Sequence, residues 1–117
     1  MTNLAPIPLD RLRSSQDIQA VFRGPDKRAG RLLVVHARLR PDAATTRVAV
    51  IASRRVGTAV ARNRAKRLLR EAVRQQAWRP GLDVVLVARG PAASASLAEV
   101  MSDLSAAAAH LDLLDAA

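Results

Sequence analysis

The sequence predicts a mixed α/β domain, and three observations carry that prediction. Residues 61–74, "ARNRAKRLLREAVR", set apolar side chains at helical spacing. Two aliphatic, β-branched runs precede them, "RLLVVHARL" (31–39) and "TRVAVIAS" (46–53), and a third, "DVVLVAR" (83–89), follows Pro80-Gly81. Strand, helix and strand joined by short links imply a parallel crossover. With 117 residues, 50% of them hydrophobic, the chain is sized for one domain spanning 1–117 with a packed core. That core is aliphatic, since Phe22 and Trp78 are the only aromatics among Phe, Trp and Tyr.

The elements follow in order. Residues 1–13, with Pro6 and Pro8, read as an extended entry arm. In "SSQDIQAVFR", Ser14 is the N-cap with Asp17 three residues on, and Ile18, Val21 and Phe22 give the apolar spacing of a short helix that Gly24-Pro25 ends. Residues 26–31 are read as a short strand. The runs 31–39 and 46–53 are read as an antiparallel hairpin across "RPDAAT", which holds Pro41 and Asp42. "VAVIA" lacks alternation and is expected to be buried on both faces. Gly57-Thr58 opens the basic helix, which runs to about residue 77. Ser96 and Glu99 form a capping box for a C-terminal helix over 93–115. Its apolar stripe is Leu97, Val100, Met101, Leu104, Ala108, Leu111 and Leu114.

Charge is spread unevenly. Residues 1–89 hold all 19 Lys and Arg with six acids, whereas residues 90–117 hold four acids and no cation. Seventeen of the cations are Arg, whose planar fork suits bidentate phosphate contacts. A GC-rich genome explains arginine over lysine but not the asymmetry, so a polyanionic partner leads.

On a helical wheel, Ala61, Ala65, Leu68, Leu69 and Ala72 share one side with Val73 at its edge. Asn63, Lys66, Arg67, Arg70 and Arg74 lie opposite, flanked by Arg62 and Arg64. The stripe runs about 20 Å at roughly 1.5 Å per residue, and Arg54 and Arg55 extend it upstream. A solvated face normally mixes signs; here Glu71 alone opposes six cations within residues 61–74. Phosphates that neutralise the stripe on binding make such self-repulsion tolerable. Asn63 suits either a base edge or an ordinary first-turn position, and its spacing does not choose.

Several classes are excluded. No apolar run approaches the roughly 20 residues of a membrane span, and the N-terminus reads as no signal peptide. Cysteine is absent, so no disulfide frame or thiolate metal site exists, which fits a reducing cytoplasm. His36 and His110 are isolated, and no P-loop, nucleophile elbow or metal-ligand spacing occurs. No catalytic residue and no metal ligand is therefore assigned. If chemistry happens beside this chain, another molecule supplies the reactive groups.

"SRRVGTAVARNRAKRLLREAVR" resembles the signature of the bacterial ribonuclease P protein family: a basic pair, Gly, Ala-Val, then Arg-Asn-Arg-x-Lys-Arg-x-x-Arg. "RLRSSQDIQAVFR", "TRVAVIAS" and "DVVLVARGPA" extend the resemblance over residues 9–111. It implies a two-layer α/β sandwich of order α-β-β-β-α-β-α, with a left-handed crossover through the basic helix against the usual hand. It also implies the protein subunit of an endoribonuclease whose catalytic RNA hydrolyses precursor tRNA with Mg²⁺ bound mainly through RNA. The RNA-subunit contact then maps to Arg54, Arg55, Arg62, Asn63, Arg64, Lys66, Arg67, Arg70 and Arg74. A cleft between the first helix and the sheet is implied to hold the 5′ leader of precursor tRNA. The family often lines that cleft with aromatics; here its positions read as Ile18, Phe22, Leu33 and His36, with Arg31, Arg38 and Arg89 supplying charge.

The implied partners are ribonuclease P RNA and precursor tRNA, with no membrane, no DNA and no required protein oligomer. The alternative is a structural ribosomal or rRNA-assembly protein, which shares the basic helix but needs no leader cleft. Sequence-specific DNA binding would call for a helix-turn-helix or a dimer interface, and neither is visible.

Overall fold

The computed structural model describes residues 9–41 and 43–115. Its elements are β1 (Leu9–Arg11), α1 (Ser15–Arg23), β2 (Lys27–Ala29), β3 (Leu33–Leu39), β4 (Thr46–Ile51), α2 (Ala59–Arg74), β5 (Leu82–Ala88) and α3 (Leu97–His110), with 3₁₀ turns at Arg54–Val56 and Gly90–Ser94. The expected order therefore gains a strand at its start. Of the entry arm, residues 9–11 pair with β4 as β1, and residues 1–8 lie outside the described residues.

The five strands run β1-β4-β5-β3-β2. β4 and β5 are parallel, joined through α2, while β5–β3 and β3–β2 are antiparallel. The expected hairpin of β3 with β4 does not form, because β5 lies between them. Two features of β5 explain its central place. It is apolar on both faces: Val84 and Leu86 enter the core under α2 and α3, whereas Val85 and Val87 enter a smaller cluster with Leu12, Ile18, Val21 and Ala49 on the α1 side. Its Asp83 also stands in register with Arg38 on β3 and Arg47 on β4. Gly81 O accepts from Arg40 N at 2.6 Å, holding the start of the β3–β4 link to the turn before β5; Asp42 of that link lies outside the described residues.

Helices thus cover both faces, α1 on one and the α2–α3 pair on the other. The sandwich has three layers rather than the expected two. β4 is only partly buried, since β1 covers it no further than Val48. The expectation of full burial fits β5, where every residue but Val87 is buried.

Local signals in the sequence hold. Ser14 Oγ accepts from Asp17 N at 3.3 Å, and Gly24 ends α1. Thr58 Oγ1 accepts from Ala61 N at 3.2 Å at the start of α2. Both halves of the Ser96–Glu99 capping box are made. The helices are shorter than expected: α2 ends at Arg74, and α3 runs over Leu97–His110 instead of 93–115, because Ser96 caps it after the separate 3₁₀ turn Gly90–Ser94. Beyond α2, Trp78 is buried and donates Nε1–H to Val73 O at 2.9 Å. Beyond α3, Asp112 takes a positive φ of 59° and Leu114 bridges back to Trp78.

Candidate nucleic-acid interface

α2 sets its apolar face, Ala65, Leu69, Ala72 and Val73, into the main core. Asn63, Arg67, Arg70 and Arg74 consequently point outward and are exposed; they line a shallow groove of about 360 Å³. Lys66 is half-buried beside them, and Arg54 and Arg55 are exposed on the 3₁₀ turn ahead of the helix. Arg74 pairs with Glu71, which hydrogen bonds from Arg74 and then Gln75 hold below the usual carboxylate range. Among the described residues, no carboxylate pairs with Arg54, Arg55, Lys66, Arg67 or Arg70.

The two outer arginines of Arg-Asn-Arg behave differently from that stripe. Arg62 donates to Gly57 O at 3.2 Å. Arg64 donates Nε–H to Ala93 O at 2.8 Å and Nη2–H to Ala95 O at 3.1 Å. Both fasten α2 to neighbouring backbone.

An open cavity of about 690 Å³ adjoins the stripe at the uncovered edge of β4. Leu12, Ile18, Val48 and Ile51 give it apolar walls, and Arg11, Arg13, Arg70 and Arg74 give it charge. Sequence reasoning passed over Arg11 and Arg13, which lie about 60 residues before Arg70 and Arg74 in the chain. The Arg-x-Arg pair was visible, but only β1 pairing beside β4 brings it to the helix.

On the α1 face, Phe22 and His36 meet edge to face with ring centroids 4.7 Å apart and planes at 85°. His36 lies on this face because it is the register partner of Val85. Burial, and then Lys27, lower its pKa below the ordinary histidine value, so the ring is neutral at neutral pH. Its Nδ1 is buried with no hydrogen-bond partner among the described residues. Phe22 is 38% exposed, so it is not a core residue. Ile18 packs against the α1-side cluster.

The other expected cleft residues are placed differently. Leu33 is fully buried in the core under α2 and α3, because side chains alternate along β3 and it falls on the opposite face from His36. Arg31 pairs with Glu99 of α3 at 3.1 Å. Arg89 donates to Gly30 O at 3.0 Å. Arg38 stays on the α1 face but is tied to Asp83 at 3.0 Å.

Asp83 has no exposed surface and meets Arg38, Arg40 and Arg47 at 3.0, 2.7 and 2.7 Å. Burial pushes its pKa up, yet the hydrogen bonds and charges of Arg47, Arg38 and Arg40 outweigh burial and hold it below the usual aspartate value. Arg47 reaches on to Asp17 of α1 at 3.2 Å, so one charge network fastens α1 to the sheet. Among the described residues, no three His, Asp or Glu side chains gather as a metal site.

Known proteins resemble this chain in sequence and in fold. The ribonuclease P protein component of Bacillus velezensis is 35% identical over 97 residues, covering 81% of this chain and 83% of the relative. That of an Exiguobacterium species is 39% identical over 97 residues, covering 80% and 82%. The RNase P protein of Staphylococcus aureus shares the fold with a TM-score of 0.77 at 23% identity, covering 90% of this chain and 97% of that one. That of Thermotoga maritima gives 0.71 at 24%, covering 83% and 93%. The family model described as Ribonuclease P matches residues 8–112, and the chain belongs to that family.

Proposed function

We propose that this chain, as the non-catalytic protein component of ribonuclease P, meets the catalytic RNA with the outer face of α2 and precursor tRNA with the α1 face. Its function is to assist maturation of the tRNA 5′ end. The RNA-subunit contact uses Arg54, Arg55, Arg62, Asn63, Lys66, Arg67, Arg70 and Arg74, with Arg11 and Arg13 at its margin. The leader of precursor tRNA passes Ile18, Phe22 and His36, where a base can stack on exposed ring surface. Arg38 lends charge there while bound to Asp83. The left-handed crossover, the single RNA-binding domain and a cytoplasmic site of action belong to the same reading.

The observation that carries it is the pairing of a cationic helix face, on which Arg74 alone has a described carboxylate partner, with a separate Phe22–His36 ring pair on the α1 face. A protein that only scaffolds RNA needs the first feature and not the second. Mg²⁺ serves the RNA: the α2 face offers Glu71, already held by Arg74, and Asp83 is enclosed by three guanidinium groups. This donor set fits no metal.

The test is cleavage of a precursor tRNA by the cognate RNA subunit at low Mg²⁺, with and without the protein. Strong stimulation by protein, and no cleavage by protein without RNA, is the expected result. Cleavage by highly purified protein would overturn it.

A further inference from the structure

We infer that Arg64 is a positioning residue that holds the Arg54–Arg55 turn in place, and not a phosphate ligand. The inference rests on the proposed RNA contact of α2. The Nε and Nη2 groups form the side-on edge of a guanidinium, one of its two edges that match a phosphate bidentately. In Arg64 that edge is filled by the carbonyls of Ala93 and Ala95. Both carbonyls belong to the segment between β5 and α3. Ala92 and Ala95 of that segment are buried in the main core together with Val56.

The 3₁₀ turn Gly90–Ser94 packs against the turn Arg54–Val56. Gly90 sits close to the Arg55 carbonyl: a Cβ added there would lie 3.9 Å from that oxygen. A mechanical chain follows, from α2 through Arg64 to residues 90–95, and from there to the turn bearing Arg54 and Arg55. The Gly90–Ser94 turn lacks a side-chain cap at Arg89, and among the described residues the side-chain hydrogen bonds that join residues 90–95 to α2 come from Arg64. Lysine cannot substitute, because one ammonium does not span carbonyls two residues apart in the planar geometry of the fork.

The experiment measures affinity for the cognate ribonuclease P RNA across a salt series, with melting of each protein. The variants are Arg64→Lys, Arg64→Ala, Arg67→Ala and Arg54→Ala/Arg55→Ala, the last with and without Arg64→Lys. Arg64→Lys keeps the charge, yet it should weaken RNA binding as much as Arg64→Ala does, by roughly fivefold or more. In the background lacking Arg54 and Arg55, Arg64→Lys should change affinity by less than about twofold. Should Arg64→Ala fail to fold, the comparison of Arg64→Lys in the two backgrounds carries the test.

Near-native affinity of Arg64→Lys would overturn the inference, whether Arg64→Ala then binds poorly or well. So would a full loss from Arg64→Lys in the background without Arg54 and Arg55. Arg67→Ala separates this from the interface itself. It should flatten the salt dependence, and if it does not, the α2 contact has failed and not merely the role of Arg64.

Discussion

Arg47 and Asp83 face each other in the parallel ladder of β4 and β5, joined by two guanidinium–carboxylate hydrogen bonds, Nε–Oδ1 at 2.8 Å and Nη2–Oδ2 at 2.7 Å. The bidentate pair is strong and directional. With Arg38 in register on the other side, Asp83 fixes where both neighbouring strands stand against β5. Through Asp17, the same arginine sets α1 over the sheet.

Removing Arg47 should therefore destabilise the domain. Arg47→Ala leaves Asp83 with Arg38 and Arg40, so the loss should be about 1.5–3 kcal/mol and not complete unfolding. Urea titration at pH 7 reads this directly. An unchanged midpoint would show the pair to be decoration.

Acid should release the same energy. Asp83 has a folded-state pKa below its unfolded value, so its contribution is fully present above about pH 4 and fades as pH falls through the lower folded value. Melting from pH 7 to pH 2 should show a steeper decline than that of Asp83→Asn. The variant is less stable at pH 7, and its difference from the native protein should shrink toward pH 2.

Phe22 is exposed beside His36 and not packed in the core. Phe22→Ala should thus shift melting little, well short of the roughly 3–5 kcal/mol of a core aromatic truncation. Precursor tRNA should bind the holoenzyme about 1–3 kcal/mol more weakly, and mature tRNA almost unchanged. Equal losses for both RNAs would remove Phe22 from the leader path.

Arg67 and Arg70 extend outward from α2 without a described carboxylate partner. Replacing either by Ala should leave the fold intact and lower the slope of log K against log[salt] by roughly 0.7–0.9. The same slope with reduced affinity would point to a contact other than phosphate.

Asp103 of α3 accepts the backbone N–H groups of Arg31, Leu32 and Leu33 at 3.3, 3.0 and 3.2 Å. Asp103→Ala strands amides at the start of β3 and should cost about 1–3 kcal/mol. Gly30→Ala should also destabilise, since a Cβ there would collide with the Asp103 carboxylate. Hydrogen exchange at Leu32 and Leu33 localises either effect.

This contact also explains the acidic C-terminal segment. Glu99 holds Arg31, Asp103 holds the β2–β3 turn, and Asp112 holds Arg79 at 3.0 Å. Of the four acids of residues 90–117, these three organise local backbone and side chains.

The sequence by itself determined the local elements and the chemistry of the α2 face. Caps at Ser14, Thr58 and Ser96 are interactions between near neighbours, and helical period alone separates Leu69 from Arg67. The tertiary structure decided what depends on distant pairing. β5 enters between β3 and β4 because both its apolar faces are covered by helices and Asp83 finds partners more than 30 residues away. Which arginines remain open to a phosphate was likewise a three-dimensional outcome: Arg31, Arg38 and Arg64 look like Arg67 in sequence, but each has a carboxylate or carbonyl that only the fold delivers. An arginine's charge is written in its own side chain; its partner is set by the chain folded around it.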